Sequence, residues 1–213
     1  MAFEKHYSPR GILGPYPKLN KPDTKFDADG VYSASLMVPL EKAQRFIDNI
    51  EKAYEDNYQT VVSKLKRGKK PPKKADMPYE VEDDTVTFKF KLKATVTKKD
   101  GTTFERRPAL FDSKGKIIKE DVLIGQGSVV QFASVFYFWQ SPTLGVGLTL
   151  QPEAVKVFHR EEPSYEPDAD AYDFDEDEDG YSVEDEMSEG GEEDTPDNNY
   201  TPEEGDDEEP EDF

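Results

Sequence analysis

No lysine or arginine follows Arg160, whereas residues 161–213 carry 27 aspartates and glutamates and end on Asp212–Phe213. So much like charge with so few apolar side chains cannot bury enough surface to offset the entropy of ordering, which predicts a disordered acidic tail over 161–213. The formal net charge of −20 therefore describes the tail and not the rest. Residues 1–160 hold all 27 basic side chains against 20 acidic ones, a net charge of +7. A body of that length can bury about 70% of its unfolded surface around one core. The expectation is a basic folded domain over 1–160 and a tail over 161–213.

The chain has no cysteine, which excludes disulfides, thiolate metal sites and cysteine nucleophiles and fits a reducing compartment. Met1–Leu13 carries charges and a proline in place of a signal peptide's apolar run. Nothing approaches the roughly 18 apolar residues of a membrane span, so no membrane association is expected.

Residues 1–30 read as an extended arm and loop punctuated by prolines and glycines. Val31–Val38 alternates as a strand. Residues 40–67 form one amphipathic helix: Ala43, Phe46, Ile47, Ile50, Ala53 and Tyr54 recur at three- and four-residue steps, with Gly68 as the C-terminal cap. Lys64–Lys74 then places seven basic residues, among them Arg67, Lys69 and Lys70, in a loop broken by Pro71–Pro72. From Thr85 to Thr97 the period becomes two, with Val86, Phe88, Phe90 and Leu92 on one face and Lys89, Lys91 and Lys93 on the other. Asp100–Gly101 signals a hairpin into Thr102–Arg107. Val129–Gln140 and Val146–Phe158 complete the strands. One long helix inserted among at least five strands predicts a mainly β fold, an OB-fold-like five-stranded barrel.

Two constellations point to nucleic acid. The first is basic: the lysine face, the loop, Arg106–Arg107, and Lys114 with Lys116 together suit a groove that releases counterions on binding phosphates, although three strand lysines alone would equally be a solvated face. The second is aromatic. Alternation along Phe136–Trp139 sends Phe136 and Phe138 to the core and Tyr137 and Trp139 to the opposite face, where they can stack on bases or pack under a loop or the helix. Tyr79, beside the basic loop, is a further stacking candidate.

Asp175, Asp177, Asp179, Gly180 and Glu186 match a calcium-loop pattern, but the prolines and glycines around them exclude the two flanking helices such a loop needs, so no metal or other cofactor is expected. The two histidines, His6 and His159, stand apart from any nucleophile elbow or phosphate loop, so the chain reads as a non-enzyme.

In chain order, Lys21–Pro22–Asp23, Gly30–Val31–Tyr32, Arg67–Gly68–Lys69–Lys70–Pro71, Asp76–Met77–Pro78, Thr87–Phe88–Lys89–Phe90–Lys91, Asp112–Ser113–Lys114–Gly115–Lys116, Gly127–Ser128, Tyr137 with Trp139, Val146–Gly147 and the terminal Asp212–Phe213 resemble the single-stranded DNA-binding proteins of T-odd-type tailed phages. The resemblance implies an OB-fold, sequence-tolerant binding of single-stranded DNA with Tyr137 at the DNA surface, and a role in phage DNA replication, recombination and repair in the bacterial host's cytoplasm. It also implies that the tail competes with DNA, mediates homodimer contacts, and meets the phage DNA polymerase and helicase-primase through Phe213. Phe138 departs from it, standing where the family can carry a lysine.

From the residues alone, two other classes stay open. One is an interaction protein whose acidic tail mimics nucleic acid or sequesters basic proteins, with the body as scaffold. The other is an enzyme acting on nucleic acid, for which the carboxylates lie in the wrong segment. RNA also stays open as a ligand, since stacking and phosphate contacts do not require deoxyribose.

Overall fold

The computed structural model describes residues 4–163 except 99. Twelve elements follow one another: β1 (His6–Tyr7), β2 (Gly11–Leu13), β3 (Lys18–Asp23), β4 (Val31–Pro39), α1 (Leu40–Ser63), β5 (Tyr79–Glu82), β6 (Thr85–Lys93), β7 (Thr95–Thr97), β8 (Thr103–Glu105), β9 (Ala109–Phe111), β10 (Val129–Ser141) and β11 (Gly145–His159). Five of them close on themselves in the order β2–β4–β6–β11–β10–β2. The β6–β11 contact is parallel and the other four are antiparallel. This is a closed five-stranded barrel of OB type with one helix. β1, β3, β5 and β9 add to its strands, and β7 pairs only with β8.

The alternation that predicts β6 is the alternation of its burial: Val86, Phe88, Phe90 and Leu92 are buried, while Lys89, Lys91 and Lys93 are exposed. Inside the barrel Phe90 stacks on Phe132 with ring centroids 4.0 Å apart. The helix closes one end with Ala43, Phe46, Ile47, Ile50 and Tyr54, all buried, and Phe46 meets Phe88 edge-on at 5.1 Å. Each large side chain so buried contributes about 1.5–3 kcal/mol.

Three elements differ from the expectation. The helix ends at Ser63, not at 67, because its buried stripe runs out at Tyr54; Val61, Val62 and Leu65 are only half-buried. Gly68 therefore caps no helix and serves a separate turn at φ +89°, closed by Lys69 N–H donating to Lys66 O. The run 85–97 breaks at Ala94, whose N–H donates to Gly30 O and whose carbonyl accepts from Arg106 N–H. Beyond that exchange, β7 leaves the barrel. The arm over 1–30 contains three short strands, recruited by main-chain pairing to β10 and β4.

The fold continues past Arg160. Gly125 N–H donates to Glu161 O at 2.8 Å, and Glu161 N–H donates to Ser128 Oγ at 2.9 Å. A Cβ on Gly125 would lie 2.6 Å from the Glu162 carbonyl carbon, so a glycine is required there. No helix among the described residues is long and apolar enough to cross a membrane.

Candidate nucleic-acid interface

The register of three strands assembles one outer face. Phe90 pairs with Leu150 across the parallel β6–β11 contact, and both side chains point inward. Their outward neighbours, Lys89 and Lys91 on β6 and Thr149 and Gln151 on β11, therefore stand side by side. Across β10–β11, Thr149 pairs with Tyr137, Gln151 with Val135, and Gly147 with Trp139. Residues about 60 positions apart in the chain thus share one surface.

Within it, Tyr137 is 51% exposed and presents its ring to solvent. Phe136 is buried and Phe138 packs partly against the core, as alternation predicts. Trp139 is half-buried: its indole lies against Gly147, where a Cβ would come 2.0 Å from Cζ2, and its Nε1–H donates to Thr149 Oγ1 at 3.1 Å. The indole is thus fixed against its cross-strand neighbour rather than under a loop or the helix.

The lysine face is only partly free. Lys89 pairs with Glu80 of β5, and Lys93 pairs with Asp27 at 3.1 Å. The Lys93 hydrogen bond, helped by one from the Asp29 amide, holds the Asp27 carboxyl below its usual range. Lys91, between them, has no carboxylate partner among the described residues.

Arg106 joins this face. Its guanidinium donates to Gln151 Oε1 at 2.9 Å, and it lines a groove of about 900 Å³ with Tyr137, Phe104 and the exposed side of α1. Arg107 ion-pairs with Glu120 and lines a smaller cleft of about 520 Å³ beside residues 24–30. Phe104, which sequence reasoning did not single out, is 39% exposed with Lys98 Nζ 5.4 Å from its ring. Its signal was available: an aromatic between Thr103 and Glu105 in a three-residue strand has no core to enter.

Arg67, Lys69 and Lys70 are exposed on the loop after α1, and the root of that loop is fastened to the same hairpin. Val146 N–H donates to Lys73 O at 2.9 Å and Ala75 N–H donates to Val146 O at 2.8 Å. Tyr54 and Tyr58 donate their hydroxyls to Val146 O and Pro72 O. Gly145, at φ +91°, admits the loop so closely that a Cβ would meet Lys73 O at 1.9 Å. Tyr79 is engaged elsewhere: its ring packs on Phe88 at 5.9 Å and its hydroxyl donates to Glu51 at 2.7 Å. Burial, and then Glu51, push its pKa up to about 12.

Phe213, Asp212 and the calcium-like sequence 175–186 lie outside the described residues. Among the described residues no three histidine or carboxylate side chains cluster as metal ligands would.

No curated protein sequence matches the chain. The solved structures do. The single-stranded DNA-binding protein gp2.5 of bacteriophage T7 is 29% identical over 85% of this chain and 100% of its own, with a TM-score of 0.70. The single-stranded DNA-binding protein of bacteriophage Enc34 shares the fold: its structure in complex with ssDNA is 15% identical over 75% of this chain and 88% of that one, with a TM-score of 0.52. A family model described as single-stranded DNA-binding protein, Bacteriophage T7, matches residues 10–159, and by that match, which runs through the whole barrel, the chain belongs to this family of phage single-stranded DNA-binding proteins.

Proposed function

We propose that the chain binds single-stranded DNA without sequence preference during phage DNA replication, recombination and repair, and that its acidic tail competes with DNA and recruits the phage polymerase and helicase-primase. One observation carries the binding surface: Tyr137, an exposed ring on a rigid strand, shares a barrel face with Arg106, Lys91 and the indole of Trp139. A ring there stacks on any base, and the cations neutralise phosphates on either side, which gives affinity without sequence readout. Lys89, Lys93 and Arg107 join as phosphate displaces Glu80, Asp27 and Glu120. Arg67, Lys69 and Lys70 extend the positive surface from the far end of the hairpin. The relatives support this reading: both are single-stranded DNA-binding proteins, and the Enc34 protein was captured with ssDNA.

The tail's part rests on charge. Twenty-seven carboxylates tethered to a basic surface act at an effective concentration on the order of millimolar and mimic nucleic acid. DNA displaces them and frees Asp212–Phe213 for the replisome partners and for a second copy of the chain, in the host cytoplasm. Tryptophan-quenching titrations with single- and double-stranded oligonucleotides at two salt concentrations test the binding. Trp139 is the only tryptophan. Strong quenching by the single strand that weakens with salt is expected; no quenching, or preference for the duplex, would overturn the reading.

A further inference from the structure

A second slot lies on the outer face of β10, four residues nearer the start of the strand than Tyr137. Register builds it as a row across four strands: Tyr7 of β1 pairs with Ala133, Ala133 with Ala154, and Ala154 with Ala109 of β9. Of this row Ala133 and Ala154 make a low floor, and Tyr7, 64% exposed, stands at its edge. The next row along, Gln131–Lys156–Phe111, forms the wall. The result is a slot of about 280 Å³.

Cations border it. Lys156 and Lys5 line the slot, Lys5 facing Glu153 at 3.9 Å. Gly115 lines it too, and belongs to a turn held rigid by Asp112, whose Oδ1 accepts the amide hydrogens of Lys114 and Lys116 at 2.9 and 2.8 Å. That carboxylate is used up by the turn, which holds its pKa below the usual range and leaves both lysine side chains exposed on the rim without an ion pair among the described residues.

We infer that this slot is a second stacking subsite for single-stranded DNA, with one base against Tyr7 over the alanine floor and the flanking phosphates on Lys114, Lys116 and Lys156. The inference rests on the reading that Tyr137 contacts DNA, because the two stations lie on one face of β10. Tyr137, Val135 and Ala133 are successive outward positions of β10, so the stations lie about 13 Å apart. A stacked strand rising about 3.4 Å per nucleotide covers that in about four nucleotides, and an extended one in fewer. Both fall within the roughly 4–16 nucleotides an OB-fold occupies.

The test is a Trp139-quenching titration of the full chain with a thymidine dodecamer, comparing wild type, Tyr7→Ala, Tyr7→Phe, Tyr137→Ala and the double variant Lys114→Gln/Lys116→Gln. Tyr7 is exposed, so thermal unfolding should not change. If the slot stacks a base, Tyr7→Ala weakens binding by about five- to hundredfold while Tyr7→Phe binds like wild type. Quenching at saturation persists because the indole stands at the first station, and the double variant lowers the slope of log affinity against log salt by about 1.4. Wild-type affinity for Tyr7→Ala beside weakened Tyr137→Ala overturns the second station alone and gives the slot to another class of partner, such as a protein. Absence of any quenching in the wild type removes the first station as well.

Discussion

A methyl group at Gly147 would sit 2.0 Å from Trp139 Cζ2, so this glycine decides where the indole lies. Gly147→Ala should lift the ring off β11 and break its bond to Thr149. The expected outcome is a red-shifted emission from the single tryptophan and a stability loss of about 1–3 kcal/mol from overpacking, read by fluorescence and denaturant unfolding. Tyr79 gives a second test. Tyr79→Phe should cost about 0.5–1.5 kcal/mol by removing the hydrogen bond to Glu51. Because the folded state holds the phenol's pKa near 12 against an ordinary value of 10, its contribution is complete below pH 10 and is lost as pH rises towards 12. The variant should lose that part of the alkaline decline in stability. What such side chains do was only half legible in the chain. Alternation turns Lys89, Lys93 and Trp139 outward, but their partners Glu80, Asp27 and Thr149 come from other strands or other turns of the sheet, and Glu51 meets Tyr79 from a helix 28 positions upstream. Period reports direction and is silent on company.

At the scale of elements, β6, β10, β11 and the body of the helix were legible because each buries a face along its own period. β1, β2, β3 and β9, of two to six residues, were not, because main-chain pairing to a longer strand makes them and leaves little pattern of their own. β1 docks on β10 through Ser8, whose N–H donates to Phe132 O and whose Oγ accepts from Phe132 N–H, and through the His6 ring, which stacks on Phe136 with centroids 3.7 Å apart. Burial lowers the His6 pKa, and Glu4 opposes this only in part. Lys42 and Arg45 of α1 line the cavity beside it. The unfolded arm therefore takes up a proton more readily than the docked one. Docking is at full strength above about pH 6.5 and weakens as pH falls below it. Hydrogen exchange at Ser8 and Phe132 should quicken from pH 7 to pH 5 relative to the exchange chemistry of a free chain, and His6→Phe should abolish the difference. An equal change in both chains would show that the arm does not depend on His6.

Across the whole molecule the decisive property is still the one-sided charge. Because Glu161 and its neighbours complete the packing around Gly125 and Ser128, a chain cut after Arg160 would lose part of the body along with the tail. A cut after Pro163 removes 25 carboxylates and no basic residue, and leaves those contacts in place. If the tail covers the Tyr137 face, the shortened chain should bind a single-stranded oligonucleotide on the order of tenfold more tightly at low salt. The two chains should converge as salt rises, because screening weakens the tail's hold on the basic surface before it removes base stacking. If the tail also recruits the polymerase, the shortened chain should keep DNA and fail to capture the polymerase, which pull-down reads directly. A full-length chain lacking only Phe213 divides the two effects: its charge is intact, so its DNA affinity should match the wild type, and polymerase capture alone should fail. Equal affinity of the intact and shortened chains at every salt concentration would mean that the carboxylates never occupy the groove, and that the partition of charge serves solubility and partner binding alone.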